Sequence, residues 1–481
     1  MKTDKINIAV ILLIVFFILF FTWFTLREFS RGMMDGYDQG TYSQILWTTL
    51  HGRLFWCSFT GPNGLCDLGV HMAPLLLLLA PVYALFPFAI TLSVMQVLLL
   101  GAGAIPVYLI AKDRIHSRAG LLFTAAYLAN TFIIQAVVEG FQARTLTVPL
   151  FLFAFYFLFK NKYLLLSLFV FILCLSHEIS CLLVFMLGLY IILARKKIGL
   201  GITISVLSLG WFILSLKVLQ PYFGISEPLG ALYFFAGGET ISSPVKIMQY
   251  CITHPFGVMQ RVFSYAKLGY LIRLFAPLGF LSLLSLKELL IGLPIFLQNL
   301  ILSEHLVKVE VPRYTMPLIP FIFISAIYSA AWLFKNKKLR WVYIEVLITI
   351  SLLLSVSRFV LDARFLRVLS PISGETMIHR SALKEMVSLI PPEASVCADI
   401  KAFPFLSNRF RLYDIPFHIQ DSEYVLIDVK EPIFSPKAAI SAEECAMVIN
   451  KALKPHAYEM IKEKDGVILL RRDPGLCEGK K

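Results

Sequence analysis

Apolar runs of about 20 residues, the length that crosses a hydrocarbon core, recur from residue 6 to residue 358 and alternate with short polar connections. Candidate spans cover 6–26, 90–111, 119–138, 144–160, 163–176, 179–194, 198–219, 268–286, 288–303, 313–334 and 340–358. The pattern predicts an all-α polytopic membrane bundle of about eleven transmembrane helices. The first run is too long for a signal-peptide core and no small-residue cleavage site follows it, so it reads as a retained anchor. Residues 72–88 are also apolar, but Pro74, Pro81 and Pro87 each remove a backbone donor and disfavour a straight helix.

Beyond residue 358 the pattern changes. Short bursts at 394–400, 410–415, 423–429 and 466–471 alternate or cluster apolar residues like strands, and 376–389 and 441–453 carry helical spacing. The expected organisation is a transmembrane domain over 1–358 and a soluble α/β domain over 359–481.

Composition agrees with lipid as the main solvent: 58% of the 481 residues are hydrophobic and 16% charged, against roughly a quarter charged in soluble domains. The formal net charge of +13 sits largely in clusters between apolar runs, which argues against a nucleic-acid partner and for the positive-inside rule. With 72–88 not crossing, Lys2 and Lys5, then Lys112, Arg114 and Arg118, Lys160 and Lys162, Arg195 to Lys197, and Lys335 to Arg340 share one side. That side is expected to be the cytoplasm of a multi-pass cell-membrane protein. The first loop (27–89, with interfacial helices), the loop 220–267 and the tail are then external.

Candidate chemistry gathers at the outer helix ends. In MMDGYDQGTYSQILWTTLHG, the residues Tyr42, Ile45, Leu46 and Thr49 follow the three-four spacing of an amphipathic helix over 37–50, and Gly52 supplies a stop. A helix lying on the membrane surface fits this pattern. Asp35 and Asp38 stand at its start, where a carboxylate also serves as a helix cap. Asp67 and His71 follow at a spacing that can share a proton or a metal, or form a solvated loop. Glu139 with Arg144, and His177 with Glu178, interrupt helix ends, where a charge at membrane depth costs on the order of 2.5 to 3.5 kcal/mol; snorkelling to the interface is the bland alternative. Glu304, His305, Glu310 and Arg313 crowd a late loop, Arg313 suiting a phosphate or a pairing with Glu310. Eight cysteines are too few for a disulfide scaffold, but Cys57 and Cys66 share a loop that admits a disulfide in an oxidising compartment.

The stretches YDQGTYSQILWTTLHGRLFW, GVHMAPLLLLLAPVYALFP, TLSVMQVLLLGAGAIPVYLIAK, TVPLFLFAFYF, SHEIS, ASVCADIKAFPFLSNRFRLYDIP and EYVLIDV together resemble the membrane protein family DUF2079. That family in turn resembles the GT-C glycosyltransferases, which transfer sugars from polyprenyl-phosphate donors on the outer membrane face. The resemblance implies a GT-C-like bundle in which Asp38, just after the first helix, is the catalytic base. An Asp-Phe-His-Pro-like stretch is usual in the family before the fourth helix; Glu139, Gly140, Phe141, Gln142 and Ala143 stand here instead.

With that resemblance, Asp35, Asp67, His71, Glu139, Arg144, His177, Glu178 and Arg313 are the candidate substrate contacts, with Arg144 and Arg313 for phosphate. Membrane lipid and a polyprenyl-phosphate-linked sugar are the expected partners, the acceptor being left open. The sequence requires no cofactor, and the acidic groups admit a divalent cation. The readings from other classes are a transporter or flippase of a lipid-linked or amphipathic substrate, and a non-catalytic membrane assembly protein. Ionisable groups at mid-membrane and repeated halves would favour transport.

Overall fold

The computed structural model describes residues 2–32, 36–59, 64–224, 234–236, 239–241, 244–301, 312–336, 340–361, 363–415, 418–431 and 458–473. The first helix, α1 (Lys2–Arg31), has 30 residues and is about 45 Å long, more than a hydrocarbon core requires. Its last turns reach the C-terminal domain: Arg27 Nε donates to the Val368 carbonyl at 2.6 Å, and Arg380 Nη2 to that of Phe29 at 2.9 Å.

Among the described residues, six helical stretches are long and apolar enough to cross a membrane: Asp4–Arg31, Ala89–Arg114, Ser117–Glu139, Glu178–Arg195, Ile198–Tyr222 and Arg313–Lys335. Ala143–Phe159, Tyr163–Ser176 and Trp341–Ser357 are shorter apolar helices. The runs at 268–286 and 288–303, expected as spans, are interrupted. Helix Tyr265–Phe275 gives way to turns at Ala276–Leu278 and Leu281–Leu284, then to Leu286–Leu289 and Leu293–Ile301. Pro277 and Pro294 remove backbone donors there, and Gly279 and Phe280 are both left-handed, at φ 57° and 58°. Irregular backbone at this depth is tolerated where protein surrounds it. Two buried charged groups there are hydrogen-bonded: Lys267 Nζ donates to the Asn299 carbonyl at 2.6 Å, and Tyr190 Oη to Glu288 Oε1 at 3.0 Å.

The bundle has two chemically distinct ends. At one end Asp113 pairs with Lys160 at 2.8 Å, Arg195 Nη2 donates to Asn161 Oδ1 at 2.8 Å, and Lys112 Nζ to Asn7 Oδ1 at 3.4 Å. The basic clusters and the start of α1 therefore lie together. At the other end sit α2 (Gly36–Leu50), the segment 72–88 and the C-terminal domain. Segment 72–88 holds a turn at Pro74–Leu78 and the six-residue α3 (Ala80–Leu85). Tyr83 Oη donates to Asn408 Oδ1 at 2.8 Å, and Asn408 Nδ2 to the Pro87 carbonyl at 2.7 Å, so this segment is tied down at the domain end.

Two short hairpins, β1 (Trp56–Cys57) with β2 (Leu65–Cys66) and β3 (Phe234–Ala236) with β4 (Glu239–Ile241), are antiparallel. In the first, Trp56 faces Cys66 and Cys57 faces Leu65. The two cysteines are diagonal neighbours whose side chains alternate to opposite faces, and neither is in a disulfide, so the one admitted by the sequence is not formed.

The C-terminal domain carries a five-stranded sheet in the order β6-β5-β7-β9-β8, with β5 (Val396–Ala398), β6 (Leu412–Asp414), β7 (Tyr424–Asp428), β8 (Tyr458–Lys464) and β9 (Val467–Arg472). β5 is parallel to β6 and β7; β9 is antiparallel to β7 and β8. Helix Gly374–Ser388 buries His379, Ala382, Leu383 and Met386. The helix expected at 441–453 lies outside the described residues. The domain shares one apolar cluster with the bundle: Leu383, Val396, Phe403 and Leu426 are continuous with Ile45, Leu76, Tyr83, Leu92 and Leu146.

Candidate functional site

α2 enters this cluster by an unusual face. Gly36, Gln39, Gly40, Ser43, Gln44, Ile45, Leu46 and Thr48 are buried, so the helix is covered by protein and does not lie free on a membrane surface. A Cβ on Gly36 would stand 1.9 Å from the Ile400 carbonyl oxygen, and one on Gly40 would stand 2.7 Å from Phe403 Cβ. Glycine is what allows the domain backbone to approach this closely. Further along the helix, Gln44 Nε2 donates to Ser58 Oγ and to the Arg409 carbonyl, both at 2.9 Å. Asp38 is thereby held on the first turn of a helix clamped between bundle and domain.

A second clamp shapes the loop after the helix Thr131–Glu139. Gln96, inside α4 (Ala89–Ala102), donates to the carbonyls of Ala136 at 2.8 Å and Gly140 at 2.9 Å, and its Oε1 accepts from Gln142 N and Thr145 Oγ1, both at 2.8 Å. Gln39 Oε1 accepts from Phe141 N at 2.9 Å and from Ser93 Oγ at 2.8 Å. The loop is thus fixed with Gln142 Nε2 3.4 Å from Asp38 Oδ2, and Glu139, the last residue of the preceding helix, is half-buried at the same end of the bundle.

Asp38 forms an ion pair with Arg313 through Oδ2 and Nη1. Arg313 and Arg144 both stand over the ring of Tyr314, with their guanidinium carbons 5.5 and 5.1 Å from its centroid. Burial pushes the Tyr42 hydroxyl far above its usual range; its charged neighbours are Asp67, Asp38, Arg144 and Arg313. Two carboxylates and two guanidiniums therefore share one neighbourhood. Asp67 is buried and its Oδ2 has no hydrogen-bond partner. Burial raises its carboxyl to about 6, the charges of Glu178 and Asp38 adding to the effect and His71 opposing it.

Beside this pair lies a second group. Glu178 Oε1 is 3.3 Å from His71 Nδ1, and its Oε2 accepts from Met72 N at 3.0 Å and lies 3.2 Å from His177 Nδ1. Arg144 Nε donates to His177 Nε2 at 2.8 Å. On the other side of the ring, Nδ1 faces Glu178 and accepts from the Ile179 amide at 3.2 Å.

Among the described residues, the ligand atoms of His71, His177 and Glu178 all lie within 4.8 Å of one another. Separations of 3.2 and 3.3 Å between nitrogen and carboxylate oxygen match the edge of a tetrahedral site with bonds of about 2.0 Å. The donor set therefore fits a divalent cation. A cation on His177 Nδ1 would displace the Ile179 amide and require the ring proton on Nε2, facing a guanidinium, so Arg144 would have to release the ring.

The structure thus brings together Asp38, Asp67, His71, Arg144, His177, Glu178 and Arg313. Asp35, Glu304, His305 and Glu310 lie outside the described residues. The sequence reading missed Gln39, Gln96 and Gln142. The signal for Gln96 was an amide within an apolar span, which in a membrane bundle marks an internal hydrogen bond.

Among solved structures, the fold is similar to that of ArnT from Cupriavidus metallidurans bound to undecaprenyl phosphate, with a TM-score of 0.57 and 12% identity over 97% of this chain and 98% of that chain. The apo state of the same protein gives 0.53 and 12% over 99% of each chain. At this identity the likeness is one of fold. No curated protein sequence matches. The family model described as "Predicted membrane protein (DUF2079)" covers residues 30–469, which include the whole site. The chain belongs to the DUF2079 family of predicted membrane proteins.

Proposed function

We propose that this chain is a membrane glycosyltransferase of the GT-C type that transfers a sugar from a polyprenyl-phosphate donor at the external face. The observation that carries this reading is the Asp38–Arg313 pair with Arg144 alongside, in a fold similar to that of a protein solved with undecaprenyl phosphate. In the proposed orientation the basic end faces the cytoplasm and the site end faces outward.

The acceptor oxygen attacks the sugar C1 as the bond from C1 to the phosphate oxygen breaks. Asp38 takes the acceptor proton, and the electron pair of the broken bond stays on the polyprenyl phosphate, which gains one negative charge. Arg313 and Arg144 are the groups that balance that charge. A phosphate entering the site competes for Arg313, and Asp38, released from the ion pair, is then available as a base. Clustering of the ionisable groups at one end of the bundle, rather than at mid-membrane, supports transfer over transport.

The test is a transfer assay on the purified protein with a panel of radiolabelled polyprenyl-phosphate sugars. Labelled product from at least one donor is expected. No product from any donor, together with flux of an intact lipid-linked substrate across proteoliposomes, would move the assignment to transport.

A further inference from the structure

A cavity lies at the opposite, basic end of the bundle. It has a volume of about 580 Å³, in the range of small-molecule sites, and is lined by Arg114, Lys287, Lys335, Glu288, Tyr328 and Trp332, with Leu284 and Leu286 among its remaining walls. Arg114 is built into the wall: its guanidinium carbon stands 4.0 Å from the Tyr328 ring centroid and 4.8 Å from that of Phe159, and Nη2 donates to Tyr328 Oη at 2.7 Å. Its Nε is buried with no hydrogen-bond partner. Among the described residues neither Lys287 nor Lys335 makes an ion pair, and both are exposed.

The one carboxylate in the lining, Glu288, is buried and engaged by the hydroxyls of Tyr190 and Ser285. Three cations less one carboxylate leave the lining at +2. Leu284, Leu286 and Trp332 remain exposed beside these cations. A pocket lined by a guanidinium and two exposed lysines outside any ion pair among the described residues calls for a phosphate. An apolar rim on a lipid-facing chain, with a tryptophan at the level of the basic residues, calls for acyl chains attached to it.

We propose that this cavity binds the phosphate headgroup of an anionic phospholipid, with Arg114, Lys287 and Lys335 as the phosphate contacts and Leu284, Leu286 and Trp332 against the chains. The site is separate from the Asp38 centre and does not depend on the transferase reading.

The experiment uses the full-length protein, reconstituted with phosphatidylglycerol or phosphatidylcholine of identical chains, re-extracted, and weighed by native mass spectrometry. Retention of phosphatidylglycerol about tenfold above phosphatidylcholine is expected for the wild type, since the difference rests on charge-assisted hydrogen bonds. The double variant Lys287→Gln, Lys335→Gln alters only exposed side chains and should lose that preference. Lys162→Gln, Lys197→Gln makes the same charge change at the same end outside the cavity and should keep it. Equal retention of the two lipids by the wild type, or equal loss in both double variants, would overturn the proposal. Displacement of the lipid by inorganic phosphate alone would assign the cavity to a free phosphate and overturn the lipid assignment.

Discussion

Arg313 donates through Nη1 to Oδ2 of Asp38, a contact between residues 275 positions apart in the chain. It ties the first turn of α2 to the helix that follows the late loop. Side-chain exposures of 35% for Arg313 and 22% for Asp38 leave the pair open to solvent, where such a contact is worth little. The monoanionic phosphodiester of the donor can therefore displace the carboxylate at small cost, and the proposed mechanism needs that exchange.

The glycine face of α2 sets where Asp38 sits. Gly40→Ala would press a methyl group against Phe403, and overpacking of this kind costs about 1 to 3 kcal/mol. A lower thermal-unfolding midpoint in detergent is expected for Gly40→Ala. Gly199→Ala, with nothing within 4 Å of the new Cβ, should leave the midpoint unchanged. Equal midpoints for the two variants would refute the close-approach account.

Gln96 makes four hydrogen bonds to the segment from Ala136 to Thr145. Gln96→Leu removes them all and strands buried groups at about 1 to 3 kcal/mol each. Amide hydrogen exchange over 140–145 should accelerate markedly while exchange in α4 stays slow. Unchanged exchange in that loop would show that Gln96 does not hold it.

Much of this architecture was legible in the sequence, and the failures have physical causes. The helix over 37–50 and four of the five C-terminal strands were visible because their apolar spacing is local. The edge strand β8 was not: all but its first residue are exposed, and Glu459, Lys462, Glu463 and Lys464 give it no apolar face. Ile45 and Leu46 belong to the buried face of α2 as the spacing predicts, but its glycine part, Gly36 and Gly40, was not legible because its partners, Ile400 and Phe403, lie some 360 positions away. Arg313 was given Glu310 or a phosphate as partners, since a local window cannot contain Asp38. The ring of candidate residues at one end was legible from charge alone, whereas the glutamine clamps that shape it were not sought.

His379 lies 3.0 Å from both Asp428 Oδ2 and Asp465 Oδ2. Burial alone would lower its pKa, but the bonds to Asp428 and Asp465 outweigh burial, and the net shift is upward from 6.5. A raised folded-state pKa contributes stability that is fully present below the unfolded value and is lost as pH rises through the folded value. The unfolding midpoint should therefore fall as pH rises above 6.5 and through the raised folded-state value in the wild type, and fall less in His379→Gln. Parallel profiles for the two proteins would remove His379 as the cause.

The group formed by His71, His177 and Glu178 should take up one equivalent of zinc. Titration calorimetry reads that uptake directly. Wild type should show stoichiometric binding, and His71→Ala should show none. Absence of uptake by the wild type would leave these residues as a hydrogen-bonded relay only.

The most direct test of the proposed function is turnover of Asp38→Asn in the sugar-transfer assay. Asparagine keeps the size and caps a helix as well as aspartate does, so the variant should remain folded with an unchanged unfolding midpoint. As a general base, Asp38 accounts for a rate loss of about two to four orders of magnitude on substitution. A folded Asp38→Asn protein that transfers sugar at the wild-type rate would contradict the account.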